Sequence, residues 1–154
     1  YGLEEKYVVK CSNYIGQTID MASDLGCKGL VLVGHIGKLI KVAGGIMNTH
    51  SRWADCRMEL LASAALRAGV PSEIACEMLE CVTTDDALTK CSEEERILVM
   101  QKVMEKIESS MEHRASEELK VSSMVFSNVY GILGKTSEAD QMLKVFMEDK
   151  MNGR

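Results

Sequence analysis

Two histidines, two lysines, an arginine and an aspartate crowd into residues 34–55, GHIGKLIKVAGGIMNTHSRWAD, with four glycines between them. His35 and His50 are the groups that can carry a proton near neutral pH and are the catalytic candidates. Lys38, Lys41 and Arg52 supply positive charge. Backbone N–H groups at Gly34, Gly37 and Gly44, with the Thr49 and Ser51 hydroxyls, supply further donors. Asp55 is placed to orient His50 or Arg52, or to serve a helix terminus. The set describes a receptor for anions.

The elements around these residues explain their placement. Residues 29–33, GLVLV, form an apolar run of the kind found inside a parallel sheet, where both faces are covered and alternation disappears. The strand ends at Gly34, and Ile36, Leu39, Ile40 and Ala43 then follow helical spacing, with Lys38 and Lys41 on a common face. A strand feeding a helix through glycines presents unpaired N–H groups and the positive helix end. Upstream, residues 6–10 read as a short strand and 13–25 as a helix closed by Gly26. This strand, helix, strand order predicts a parallel βαβ unit whose carboxyl edge collects Ser12 and Asn13 beside Gly34 and His35.

The second half reads as helical. A helix capped by Thr49 or Ser51 is expected to run to about residue 68, a second opens at Pro71, and Thr83 marks a new start. Ser92 with Glu95 makes a capping box before a long helix. Residues 121–126 are the last strand, the Ser127-Asn128 segment reads as an ordinary turn, and Ser137 opens a final helix over 138–150. The fold class is therefore α/β: one layered domain over 1–154 with a small, mainly parallel sheet, strands near 6–10, 29–33 and 121–126, and many helices.

The run GHxGKLxKxAxGxxxTHSxxADxRxELLA, preceded by VxxxSNYIG from Val8 to Gly16, resembles the cobalt-precorrin-5B C1-methyltransferase family of anaerobic cobalamin biosynthesis. The resemblance is strongest over 7–69 and is to the family's C-terminal domain, since the family's amino-terminal motifs have no counterpart here. It implies methyl transfer from S-adenosyl-L-methionine to C1 of a cobalt-precorrin tetrapyrrole, with the rest of the site supplied by a missing N-terminal domain of the same protein. On that reading Ser12, Asn13, Gly34, Gly37, Lys38, Lys41, Gly44, Thr49, Ser51, Arg52 and Asp55 bind substrate, with His35 and His50 beside the chemistry. Cobalt belongs to the substrate, so no protein metal ligand is expected. The fragment alone is expected to be inactive.

Other classes fit less well. The stretch Gly34-His-Ile-Gly-Lys38 fails the phosphate-binding Walker pattern twice, with Leu32 where glycine is needed and Leu39 where Ser or Thr is needed. A metal-dependent hydrolase built on His35, His50 and Asp55 has the residue types but no metal-binding spacing. A noncatalytic helical interaction module leaves 29–55 unexplained. No G-x-G-x-x-G follows a strand, so the methyl-donor site has no sequence signature here. The formal net charge of −5 and 5% aromatic content speak against nucleic acid as a partner. No apolar run suits a membrane span, no signal segment is visible, and six scattered cysteines form no C-x-x-C pair, so a cytoplasmic setting is expected.

Overall fold

The computed structural model describes residues 8–151. Among these residues seven helices and three strands follow in the order α1 (Ile15–Asp24), β1 (Gly29–His35), α2 (Ile36–Ala43), α3 (Arg57–Arg67), α4 (Ser72–Leu79), α5 (Thr84–Thr89), α6 (Glu93–Arg114), β2 (Lys120–Ser127), β3 (Gly131–Lys135) and α7 (Ala139–Met151). This is the α/β layered fold that the sequence predicts.

The sheet differs from expectation in its partners. Its order is β1-β2-β3, parallel between β1 and β2 with Leu30 opposite Val121 and His35 opposite Phe126, and antiparallel between β2 and β3. It is therefore mixed. Part of the strand expected at 6–10 lies outside the described residues, and Val8, Val9 and Lys10 are exposed and belong to no strand. The parallel partner of β1 comes instead from beyond α6, so α2 to α6 form the crossover that a parallel pair requires. β3 was not foreseen: Gly131 and Gly134 bracket only two apolar residues, too few to show alternation.

Alternation along the strands assigns the faces. Leu30, Leu32, Val121 and Val125 join the core with α2, α3 and α6, whose Ile36, Leu39, Ile40, Leu61, Val99, Val103 and Ile107 are almost fully buried. The opposite face takes α7: a Cβ on Gly29 would meet Met142 at 2.8 Å. The capping box at Ser92 is complete, Glu95 N–H donating to Ser92 Oγ and Ser92 N–H to the Glu95 carboxylate at 2.8 Å. Thr83 caps α5 by accepting from Asp86 N–H at 3.1 Å. Gly26 ends α1 at φ +67°.

Arg114, at the far end of α6, ties α1 to the domain. Its guanidinium makes a two-point pair with Asp20 at 2.8 and 2.6 Å and a hydrogen bond to Gly16 O at 3.3 Å. A Cβ at Gly16 would lie 2.9 Å from both Arg114 Cζ and Met47 Cβ, so only glycine lets the two segments approach. The hydrogen bond from Arg114 holds the Asp20 carboxyl below its usual range. The carboxylate therefore stabilises the fold above its unfolded pKa and loses that effect as the pH falls through its lower folded value. Asp20→Asn is expected to be less stable than the parent at pH 7, with the gap in urea midpoint closing below pH 4. A gap that persisted in acid would assign the effect to packing.

Candidate functional site

The sheet's carboxyl end is closed by His35, which is both the last residue of β1 and the N-cap of α2. Its Nδ1 accepts the Gly37 N–H at 3.0 Å, satisfying one of the donors that a helix start leaves open. A ring nitrogen that accepts a backbone N–H carries no proton, so in the neutral ring the proton sits on Nε2. That side faces Asp85 Oδ2 at 3.9 Å, beyond hydrogen-bond length. The Phe126 ring meets His35 edge-on, with centroids 5.7 Å apart. Asp85 comes from the first turn of α5, and its Oδ1 is buried with no partner among the described residues. Neither Asp85 nor Phe126 was visible as a site residue in the sequence; the signal was only the acidic start of a short helix and the end of a strand.

Lys38 is exposed on the first turns of α2, as the helical spacing requires. Lys41 is not. It is 3% exposed, and its Nζ donates to Thr49 O at 3.1 Å and Ala54 O at 2.9 Å. The common face expected for Lys38 and Lys41 does not leave both side chains accessible, because the 49–54 loop folds back over the last turn of α2. Lys41 thus works as a pin for that loop.

The pinned loop carries the second group of candidates. Thr49 is buried, donating its N–H to Asn13 O at 3.0 Å, with its hydroxyl on Asn13 Oδ1 at 3.2 Å, while Tyr14 bridges to Asn48. Ser12, exposed at φ +52°, precedes this contact. His50, Ser51 and Arg52 are exposed, and Trp53 beside them is 74% exposed, an aromatic platform that the sequence reading passed over. His50 repeats the His35 device: its Nδ1 accepts the Arg52 N–H at 3.1 Å. The expected helix cap at Thr49 or Ser51 does not form, because α3 opens only at Arg57. Asp55 pairs with neither His50 nor Arg52 but two-pointed with Arg57, at 2.7 and 2.9 Å. That hydrogen bond, helped by the charges of Arg57 and Lys41, holds the Asp55 carboxyl low, while burial pushes the neighbouring Cys56 thiol up.

The structure thus sorts the candidates into two groups at opposite ends of α2. His35, Gly37 and Lys38 stand at its start, and Lys41, Thr49, His50, Arg52 and Asp55 gather at its last turn. Gly34 and Gly44 serve packing, since a Cβ at either would meet Leu39 or Leu60 side-chain atoms at 3.0 Å. A hollow of about 380 Å³ beside the end of α6 is lined by Glu108, Glu112, Glu117 and Glu138 with Lys120, which pairs with Glu138 at 3.6 Å, so its wall is net negative. Among the described residues no three His, Cys, Asp or Glu side chains gather to hold a metal ion, and no helix is long and apolar enough to cross a membrane.

Residues 48–137 match the sequence profile described as CbiD, C-terminal domain. The chain belongs to the CbiD family. Relatives carry the name cobalt-precorrin-5B C(1)-methyltransferase. That of Ruminiclostridium cellulolyticum is 37% identical across 99% of this chain and 41% of its own length. That of Clostridioides difficile is 36% identical across 94% of this chain and 36% of its own, and that of Alkaliphilus metalliredigens 30% across 97% and 40%. The chain therefore spans about two fifths of the length of these CbiD relatives. No solved structure matches it. The domain profile opens inside the pinned loop, so β1, α2 and His35 precede it, although the relatives match nearly the whole chain.

Lys41→Met keeps the apolar stem but strands two carbonyls, and it is expected to lower stability by about 1–3 kcal/mol in urea unfolding. Lys38→Met should stay within about 0.5 kcal/mol. Unchanged stability in Lys41→Met would return Lys41 to the candidates for ligand binding.

Proposed function

We propose that this chain forms a substrate-binding part of a cobalt-precorrin-5B C1-methyltransferase acting in cytoplasmic cobalamin biosynthesis. The name of its relatives and its membership of the CbiD family support the reaction. Six free thiols suit a reducing compartment. The substrate is a flat macrocycle ringed by acetate and propionate carboxylates, so its receptor needs separated donors and cations beside an apolar platform. Two ends of α2 that each present an imidazole, with Lys38 at one and Arg52 and Trp53 at the other, meet that need.

One observation carries the roles of the histidines. Both accept a backbone N–H at Nδ1, which leaves Nε2–H as a fixed donor in each. Such a ring binds a carboxylate oxygen well. It offers no lone pair at Nε2 to take a proton or to ligate a metal, the macrocycle's cobalt included. We therefore narrow His35 and His50 from proton handling to substrate orientation, which is the main demand of a displacement at a sulfonium-bound carbon. Asp85 Oδ2 stands 3.9 Å from the Nε2 side of His35, too far for a hydrogen bond, and adds negative charge there. The same tautomer argument weighs against a hydrolase using His35, His50 and Asp55, as does the engagement of Asp55 by Arg57.

S-adenosyl-L-methionine, the donor that methyl transfer implies, does not fit the junction of β1 and α2. β1 passes into α2 with no intervening loop, the Gly37 N–H is taken by His35, and the space above Gly34 is filled by Leu39. We assign the donor to the remainder of the longer protein, and the 154 residues alone are expected to show no methyl transfer by mass spectrometry.

The decisive experiment uses the polypeptide at the length of its relatives. His50→Ala should weaken cobalt-precorrin binding by about 1.5–3 kcal/mol, the loss of a hydrogen bond to a charged group. His50→Gln, which keeps both an acceptor and an N–H donor, should retain most of it. If both variants bound normally while turnover fell, proton transfer would be the role. A stoichiometric metal lost in both would establish the hydrolase.

A further inference from the structure

Among the described residues the sheet has two edges, and only one is built as an edge. β3 is five residues long, contains Gly131 and Gly134, ends in Lys135 and meets β2 through a register shift at Val125 and Phe126. Shortness, charge and irregularity are the usual protections of an open strand. β1 has none of them: GLVLVGH is seven residues without lysine, proline or bulge, paired in unbroken parallel register. Near-continuous apolar runs of this kind are typical of parallel strands whose two faces are covered, and a strand of that composition left at an edge offers an unprotected template for pairing.

Backbone geometry identifies what is left open. Lys120 N–H donates to Lys28 O at 3.2 Å. In a parallel ladder the bonding alternates along the strand, so Leu30 and Leu32 turn their N–H and C=O groups to β2. Val31 and Val33 turn theirs outward. α7 shields the Gly29 end, but the Val33 side chain is 51% exposed. The chain accounts for 41% of the length of a relative it matches over 99% of its own, so most of such a protein lies outside this chain.

We propose that β1 is an interior strand of the complete protein, and that an extended segment from the remainder of the same polypeptide pairs with its open edge. The pairing rests on the chain being part of a longer protein, not on methyl transfer. A strand added there in either direction would have one end level with His35, placing the loop that adjoins it at the His35, Lys38 and Asp85 corner. The two parts of the protein would then share one site across a continuous sheet.

Amide hydrogen exchange at single-residue resolution in the full-length protein tests this with an internal control. Leu30 and Leu32 amides should be slow in any case. The proposal expects Val31 and Val33 to be slowed to within about tenfold of them. Exchange at Val31 and Val33 a hundredfold or more faster than at their neighbours would overturn it. Occupancy is identified by a photo-crosslinking benzoylphenylalanine at position 33, read by mass spectrometry on mixed heavy and light isotopic chains. A crosslink within one polypeptide to a segment outside these 154 residues supports the proposal. A heavy–light crosslink would instead assign the edge to a second copy and overturn it. Because exchange is read on the unmodified protein, failure of the crosslinking variant to fold leaves the test intact. Slow Val31 and Val33 amides in a protein without methyltransferase activity would support the pairing while refuting the functional reading.

Discussion

A buried ammonium holds the candidate site together. Removing a lysine head from water costs several kcal/mol unless hydrogen bonds replace its hydration. Lys41 recovers that cost from two carbonyls on either side of the 49–54 loop. The loop has no regular secondary structure to satisfy those carbonyls, so lysine and loop are each the other's solution. Everything downstream follows: Thr49 is held against Asn13, the start of α1 is bridged to Asn48, and His50, Arg52 and Trp53 face solvent. A residue whose charge suggested ligand binding instead determines where the neighbouring donors stand.

The two histidines show a second economy of the fold. Each lends Nδ1 to a backbone N–H two residues on, one capping α2 and one closing a turn. The local bond orients the ring and selects the tautomer together, so no distant residue has to do either. Asp85 adds a carboxylate on the Nε2 side of His35 only, which makes the two otherwise similar rings electrostatically different.

Local signals in the sequence were legible and long-range ones were not. The capping box at Ser92, the cap at Thr83, the end of α1 at Gly26 and the apolar run of β1 all depend on neighbours within a few residues, and each stands where spacing placed it. Pairing does not depend on neighbours. Nothing in the composition of residues 29–33 names residues 120–127 as the partner, and the nearer segment at 6–10 offered the simpler connection. The 49–55 stretch was misjudged for a related reason: Thr49, Ser51 and Asp55 match a helix start, but carbonyl bonds to Lys41 and the Arg57 pair hold that stretch in another conformation. Asp85 was missed because only the crossover's path sets α5 beside the end of β1.

The crossover also has a bearing on the order in which the molecule acquires its structure. β1 cannot close its ladder until residues 36–119 have been traversed, and closing so large a loop is entropically costly before any contact rewards it. The helices between have their own caps and apolar faces, and their packing shortens the distance the strand ends must search. Sheet formation is therefore a late event that reports on completed helical assembly. During synthesis β1 emerges long before its partner, and for that interval an uncharged strand depends on α2 and the growing helical layer to keep it from other chains.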